Sequence, residues 1–504
     1  MHQELVAALA ADLHAAGYTV EALDADWGAD AAAALFRGQR LPAERALAGR
    51  DDARAVLARL FVLGARAPAD AAARALPRLG LAGARRLGIL HRAGDGVEAL
   101  VDLRPYAFSD DEGEGSWWIA SDLGELATGR AVAEDHVLGV GGATATLTAL
   151  VVARRVRRAL DLGTGCGIQA LHLIRHAETV VATDISARAL DFAALNAALN
   201  GLEPGAGRLE LRRGDLFEPV AGERFDLIVS NPPFVITPRA DGVPLYDYRD
   251  GGAVGDGLIE RLVRSVGEHL EPGGVAQLLG NWEYRDGRDG LDRVRGWLAG
   301  TGLDAWVVER ETQDAALYAE TWIRDGGTRP GSDRFEELYA AWLDDFAARG
   351  VRRVGLGHLT LRRPVAPREP VQRLERLDAP LVGGPGGRIE AFLTAVESLA
   401  GLDDADLAGL RLEVAPDVTE RRHLWPGDEH PAAIELVQGG GLAREVPVGT
   451  ALAAVVGACD GELPLGLIVD AVAGLLEADA RALRAELLPE LRRLVIDGLL
   501  AVAR

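Results

Sequence analysis

Four short apolar runs between positions 158 and 233, "RALDLG", "TVVATD", "RLELRRGD" and "RFDLIVSNPP", each stop on glycine, carboxylate or amide residues. Helical patterns such as "IQALHLIRH" and "ARALDFAALNAALNG" fill the gaps, and "GLIERLVRSVGEHL", "GGVAQLLGNW", "GLDAWVVER" and "RVGLGHLTLRRP" extend the alternation. Short apolar runs separated by amphipathic helices bury themselves as a mainly parallel sheet with helices on both faces. The pattern predicts an α/β fold, a Rossmann-like doubly wound sheet, over residues 126–365. Ligands of such sheets sit beyond the carboxyl ends of the strands, so the residues that stop each run are the ones that matter.

The first run ends in Asp161, Leu162, Gly163, Thr164, Gly165, Cys166 and Gly167. Glycines at alternate positions let the chain turn sharply and bring a ligand against the main chain, while the next helix presents free N–H groups. The pyrophosphate fingerprint needs glycine at 168, where Ile168 stands, so a nicotinamide site is disfavoured. Asp161 either orients this loop or meets an amino group. The second run ends at Asp184, 23 residues on, where a carboxylate accepts both hydrogens of a ribose diol. At the third end, Asp215 suits an exocyclic amine, and Leu216 and Phe217 offer apolar contact to a base. These positions describe a pocket for an adenosine carrying an amino-acid tail. All 54 basic residues are arginine, so a P-loop site, which needs lysine, is excluded. The fourth run ends in Asn231, Pro232, Pro233 and Phe234, where two prolines give up two backbone donors and fix φ twice.

With "DLGTGCG", "ATDIS", "GDLF" and "NPPF" in this order, the middle of the chain resembles the class I S-adenosylmethionine-dependent methyltransferases. Within them it resembles the branch with N/D-P-P-Y/F, which methylates planar nitrogens. That branch includes the glutamine N5 enzymes of release factors and the adenine N6 and guanine N2 enzymes of nucleic acids. The resemblance implies that Asp161, Gly163, Thr164, Gly165, Gly167, Asp184, Ile185, Asp215, Leu216 and Asn231 hold S-adenosylmethionine. It also implies that Asn231, Pro232 and Phe234 carry the chemistry. A delocalised amide nitrogen becomes nucleophilic when both its N–H groups are held by acceptors. Asn231 Oδ1 and the Pro232 carbonyl can be that pair, with Phe234 stacked on the flat target. Release-factor enzymes usually carry Tyr where Phe234 stands, yet the following "VITP" resembles the glutamine branch. The favoured acceptor is therefore a protein or peptide side chain such as glutamine. A ribosomal or transfer RNA nucleobase is the alternative, and a non-catalytic S-adenosylmethionine- or peptide-binding module is a third reading.

A length of 504 residues implies two to four domains. Residues 1–125 read as an N-terminal substrate-recognition domain, helical or winged-helix-like, and 366–504 as a C-terminal winged-helix-like domain. The acidic "SDDEGEGS" (109–116) reads as a loop and the Pro/Arg-rich 362–377 as a linker or domain boundary, with no internal repeat legible. A net charge of −22 opposes nucleic acid. Two cysteines exclude a disulfide scaffold, and no metal-ligand spacing is present. Cys166 has no basic partner to activate it as a nucleophile. No signal peptide or membrane span is legible, so a cytoplasmic location is expected. Residues 136–147 are expected to cover the cofactor, and 248–262, with Arg249 and Asp250, to form a substrate-facing loop or a helix N-terminal turn.

Overall fold

The computed structural model describes residues 3–110, 113–129, 132–202, 207–377, 385–440 and 443–503. Its centre is an eight-stranded sheet: β1 (Val156–Leu162), β2 (Ala177–Asp184), β3 (Leu209–Arg213), β4 (Phe225–Ser230), β5 (Leu270–Arg285), β6 (Asp304–Asp314), β7 (Val351–Arg362) and β8 (Gln372–Arg376). The order across the sheet is β3-β2-β1-β4-β5-β7-β6-β8. Strands β1 to β5 run parallel, and β7 lies antiparallel to both neighbours. The strand order reverses between β1 and β4, and the crevice at such a switch point is where doubly wound sheets bind ligands. Ala159, Leu160, Leu227, Ile228 and Val229 in the two middle strands are fully buried, as a sheet covered on both faces requires.

One face packs against helices Gly257–Ser265 and Gly290–Leu298. On the other, helices Ile168–Leu173 and Ala187–Leu199 share a core with the N-terminal residues. The join is polar as well as apolar. Asn196 accepts from the Ala120 N–H (2.7 Å) and donates to its carbonyl (2.8 Å), and Asn200 does the same with Trp118. Two asparagines one helical turn apart thus complete the edge of strand Gly113–Ser121, which a strand otherwise leaves unsatisfied. Residues 1–148 and 155–375 accordingly form one compact unit.

Three further elements differ from expectation. Asp102–Asp110 and Gly113–Ser121 pair antiparallel to their ends, so most of 109–116 is strand, with 111 and 112 outside the described residues. Within 362–377, Arg368 pairs with Asp304 and Gln372–Arg376 adds an edge strand, so much of this segment is sheet rather than linker, while the division between the two compact units falls inside it, at 375/376. Between β6 and β7 stand two helices, Ala315–Asp325 and Asp333–Arg349, whose Tyr318, Trp342 and Phe346 pack with Val235 and Ile236 beyond β4.

The second compact unit comprises 149–154 and 376–504. Its helix Thr450–Gly457, strand Asp460–Pro464, helices Leu465–Leu475 and Ala480–Ile496 and strand Leu500–Val502 follow in that order, with Arg411–Val414 between the two strands in one sheet. Near the N-terminus, helix Ala53–Phe61, strand Ala67–Pro68 and helices Ala69–Ala75 and Gly80–Arg86 are followed by a hairpin of strands Leu90–Ala93 and Gly96–Ala99. Among the described residues, no helix is long and apolar enough to cross a membrane.

Candidate active site

Beyond β1 the chain turns on three glycines with positive φ: Gly163 (75°), Gly165 (53°) and Gly167 (87°). The N–H groups of Gly163 and Thr164 both donate to the Thr183 carbonyl on β2 at 2.9 Å, which ties the loop to the neighbouring strand. A Cβ on Gly163 or Gly165 would meet no protein atom within 4 Å, so the main chain there lies open to a ligand. Gly167 differs. A Cβ there would stand 2.9 Å from the Ala193 Cβ, so this glycine serves the close approach of helix Ala187–Leu199 and does not reach the cavity wall. Asp161 also lies behind the loop. Its Oδ2 accepts from Thr164 Oγ1 and from the Ala170 N–H (2.9 Å), and burial pushes its pKa up to about 7. Asp161 thus braces the loop from behind and is not among the residues lining the cavity. Cys166 is buried too, which pushes its thiol up to about 12 and removes it as a nucleophile.

Asp184 at the end of β2 accepts the Gly165 N–H on Oδ2 (2.9 Å) and the Ser186 N–H on Oδ1 (2.8 Å). Its carboxylate is thereby fixed in the cavity wall, and burial raises its pKa. Ile185 beside it is 60% exposed, an apolar surface left for a ligand. Past β3, Asp215 and Leu216 continue the wall, and Leu216 holds φ at 45°, a strained value for a bulky side chain. Phe217 instead packs into the core, stacked on His269 at 4.3 Å.

Ser230, the last residue of β4, donates from Oγ to the Leu162 carbonyl at 2.6 Å and so joins the ends of the two switch-point strands. Asn231 and Pro232 follow on the cavity wall. Among the described residues no partner occupies the Asn231 amide or the Pro232 carbonyl. Phe234 turns away. It pairs in an antiparallel bridge with Asp250 and faces Trp322 at 6.4 Å, outside the cavity lining. Stacking of Phe234 on a target group therefore finds no support in its placement. Tyr248, from the returning loop, does line the cavity.

That loop rests on Arg249, a buried cation. Its guanidinium donates to the Trp322 carbonyl (2.8 Å) and Asp325 (2.7 Å) and lies 4.5 Å from the Tyr246 ring. Sequence reasoning missed this anchor because the two helices between β6 and β7 supply it. Segment 135–139 and Thr144, from the stretch 136–147 and its neighbour, also line the cavity. Asp122 holds that segment by accepting the Val137 N–H (2.9 Å) and pairing with Arg188. The cavity so enclosed measures about 370 Å³, within the range of roughly 300–1,000 Å³ usual for ligand pockets.

Residues 139–286 match the family model of the methyltransferase small domain, and 15–100 match a domain of unknown function (DUF7059). Over 128 residues the chain is 41% identical to a ribosomal protein uL3 glutamine methyltransferase of Bradyrhizobium diazoefficiens, which spans 24% of this chain and 39% of that relative. Over 135 residues it is 41% identical to a release factor glutamine methyltransferase of Xylella fastidiosa, 25% and 48% of the two chains. A ribosomal protein uL3 glutamine methyltransferase of Bordetella pertussis is 38% identical over 133 residues, 25% of this chain and 43% of that one. The chain thus spans less than half the length of these relatives.

Proposed function

We propose that this protein transfers a methyl group from S-adenosylmethionine to the amide nitrogen of a glutamine side chain in a protein. The observation that carries this reading is the pair of open acceptors, Asn231 and Pro232, on the wall of a cavity at the switch point. The residues present suit the cofactor. Gly163 and Gly165 leave main chain bare, Asp184 is fixed for a diol, Ile185 is exposed for a base, and Asp215 carries a free carboxylate. When bound, S-adenosylmethionine supplies an electrophilic methyl group whose leaving group is a neutral thioether.

The protein's task is then to localise the nitrogen lone pair. Asn231 Oδ1 accepts one N–H of the carboxamide and the Pro232 carbonyl the other, which favours a pyramidal nitrogen. Pro232 and Pro233 limit motion of that carbonyl, so the acceptors need no rearrangement on binding. The net charge of −22 and the names of the relatives support a protein acceptor over nucleic acid. Incubation with labelled S-adenosylmethionine and cell extract, followed by protease or nuclease, tests the reading. Label released by protease and located on glutamine supports it. Label released by nuclease favours a nucleobase acceptor, and no label at all favours a binding module.

A further inference from the structure

The cavity wall carries five carboxylates, Asp135, Asp184, Asp215, Asp247 and Asp250, and no arginine among the described residues. His136, also on the wall, has its pKa lowered by burial and adds no positive charge at neutral pH. Among the described residues no three acidic, histidine or cysteine side chains converge to hold a metal. Two of the five already have protein donors, Asp184 from the Gly165 and Ser186 N–H groups and Asp250 from Arg239 and the Gly252 N–H.

One of them is short of a donor. The Asp250 side chain is 3% exposed. Its Oδ1 accepts from Arg239 Nη2 (2.5 Å) and from the Gly252 N–H (2.9 Å), whereas Oδ2 is buried and receives nothing. A buried carboxylate oxygen without a donor is costly, and a ligand N–H relieves the cost. Position identifies which ligand. Asp250 is the bridge partner of Phe234, three residues beyond Asn231, so it stands beside the acceptor pair rather than on the glycine loop. Both N–H groups of a primary carboxamide are already assigned to Asn231 and Pro232.

We infer that Asp250 Oδ2 receives an N–H from the acceptor chain next to the reacting glutamine, and that the acidic wall selects a neutral or basic peptide segment. The inference rests on the glutamine reading above and adds a specificity-determining residue to it.

Three blocked glutamine peptides flanked by arginine, alanine or glutamate serve as probes. Calorimetry measures their binding to protein loaded with S-adenosylhomocysteine. The wild type ranks them arginine, alanine, glutamate. Asp250→Asn, which keeps an oxygen for Arg239 and Gly252, loses about tenfold for the first two, equal to about 1.4 kcal/mol, and compresses the ranking. Asp250→Glu, which keeps the charge, preserves the order. A wild type that ranks none of them, the same ranking in Asp250→Asn as in wild type, or lost S-adenosylhomocysteine affinity in either variant overturns the inference. The last result would place Asp250 on the cofactor. Binding is read without methyl transfer, so failure to methylate any peptide counts against the functional reading alone.

Discussion

Alanine at Gly167 and at Gly163 separates packing from ligand binding within one loop. Both residues have left-handed φ, 87° and 75°, which costs an alanine about 1–2 kcal/mol. At Gly167 the new methyl would also lie 2.9 Å from the Ala193 Cβ and 3.0 Å from its Cα. Overpacking against a helix backbone adds about 1–3 kcal/mol. The sum for G167A is about 2–5 kcal/mol, which lowers Tm by roughly 4–20 °C at about 2–4 °C per kcal/mol. At Gly163 no protein atom lies within 4 Å of the new methyl, so G163A carries the φ cost alone and its Tm falls by roughly 2–8 °C. Its methyl enters the cavity, and S-adenosylmethionine affinity falls at least about tenfold. Differential scanning fluorimetry and calorimetric titration measure the two effects. A G163A protein that binds the cofactor like wild type, or a G167A protein as stable as G163A, refutes the assignment of the two glycines.

Burial holds Asp161 at about 7 against its ordinary 3.8, so the stability it contributes is full below 3.8 and is lost as pH rises through about 7. D161N therefore flattens the fall in urea midpoint between pH 5 and pH 8 that the wild type shows. Burial pushes the Cys166 and Cys459 thiols up to about 12 and about 11, so iodoacetamide at pH 8 leaves both unmodified in the native protein and labels both after denaturation, by mass spectrometry. R249A removes the cation between Asp325 and the Tyr246 ring and lowers unfolding free energy by about 2–4 kcal/mol in denaturant titration, with R249K intermediate because lysine lacks the planar fork.

The strand ends were legible because their signals are local. A run of buried residues followed by glycine, carboxylate or Asn-Pro-Pro fixes where a strand stops, and strand ends of a doubly wound sheet converge by topology. Side-chain direction is a tertiary property. Phe234 reads as a stacking platform in sequence, yet the Asp250 bridge and Trp322 draw it away from the cavity. Asp161 and Gly167 share the loop's motif but face inward, one supporting Thr164, the other admitting Ala193. The strand edge completed by Asn196 and Asn200 was hidden because its partners lie 76 and 82 residues apart. Spacing that long leaves no periodic mark.

The account stands on Asn231 as an acceptor for the reacting nitrogen, and N231A tests it most directly. Calorimetry should return an S-adenosylmethionine affinity within about twofold of wild type. The single-turnover rate on the protein acceptor should fall about 10²–10³-fold, the usual effect of removing one preorganised polar partner from a transition state. Wild-type turnover in N231A, with the cofactor bound as before, contradicts the mechanism.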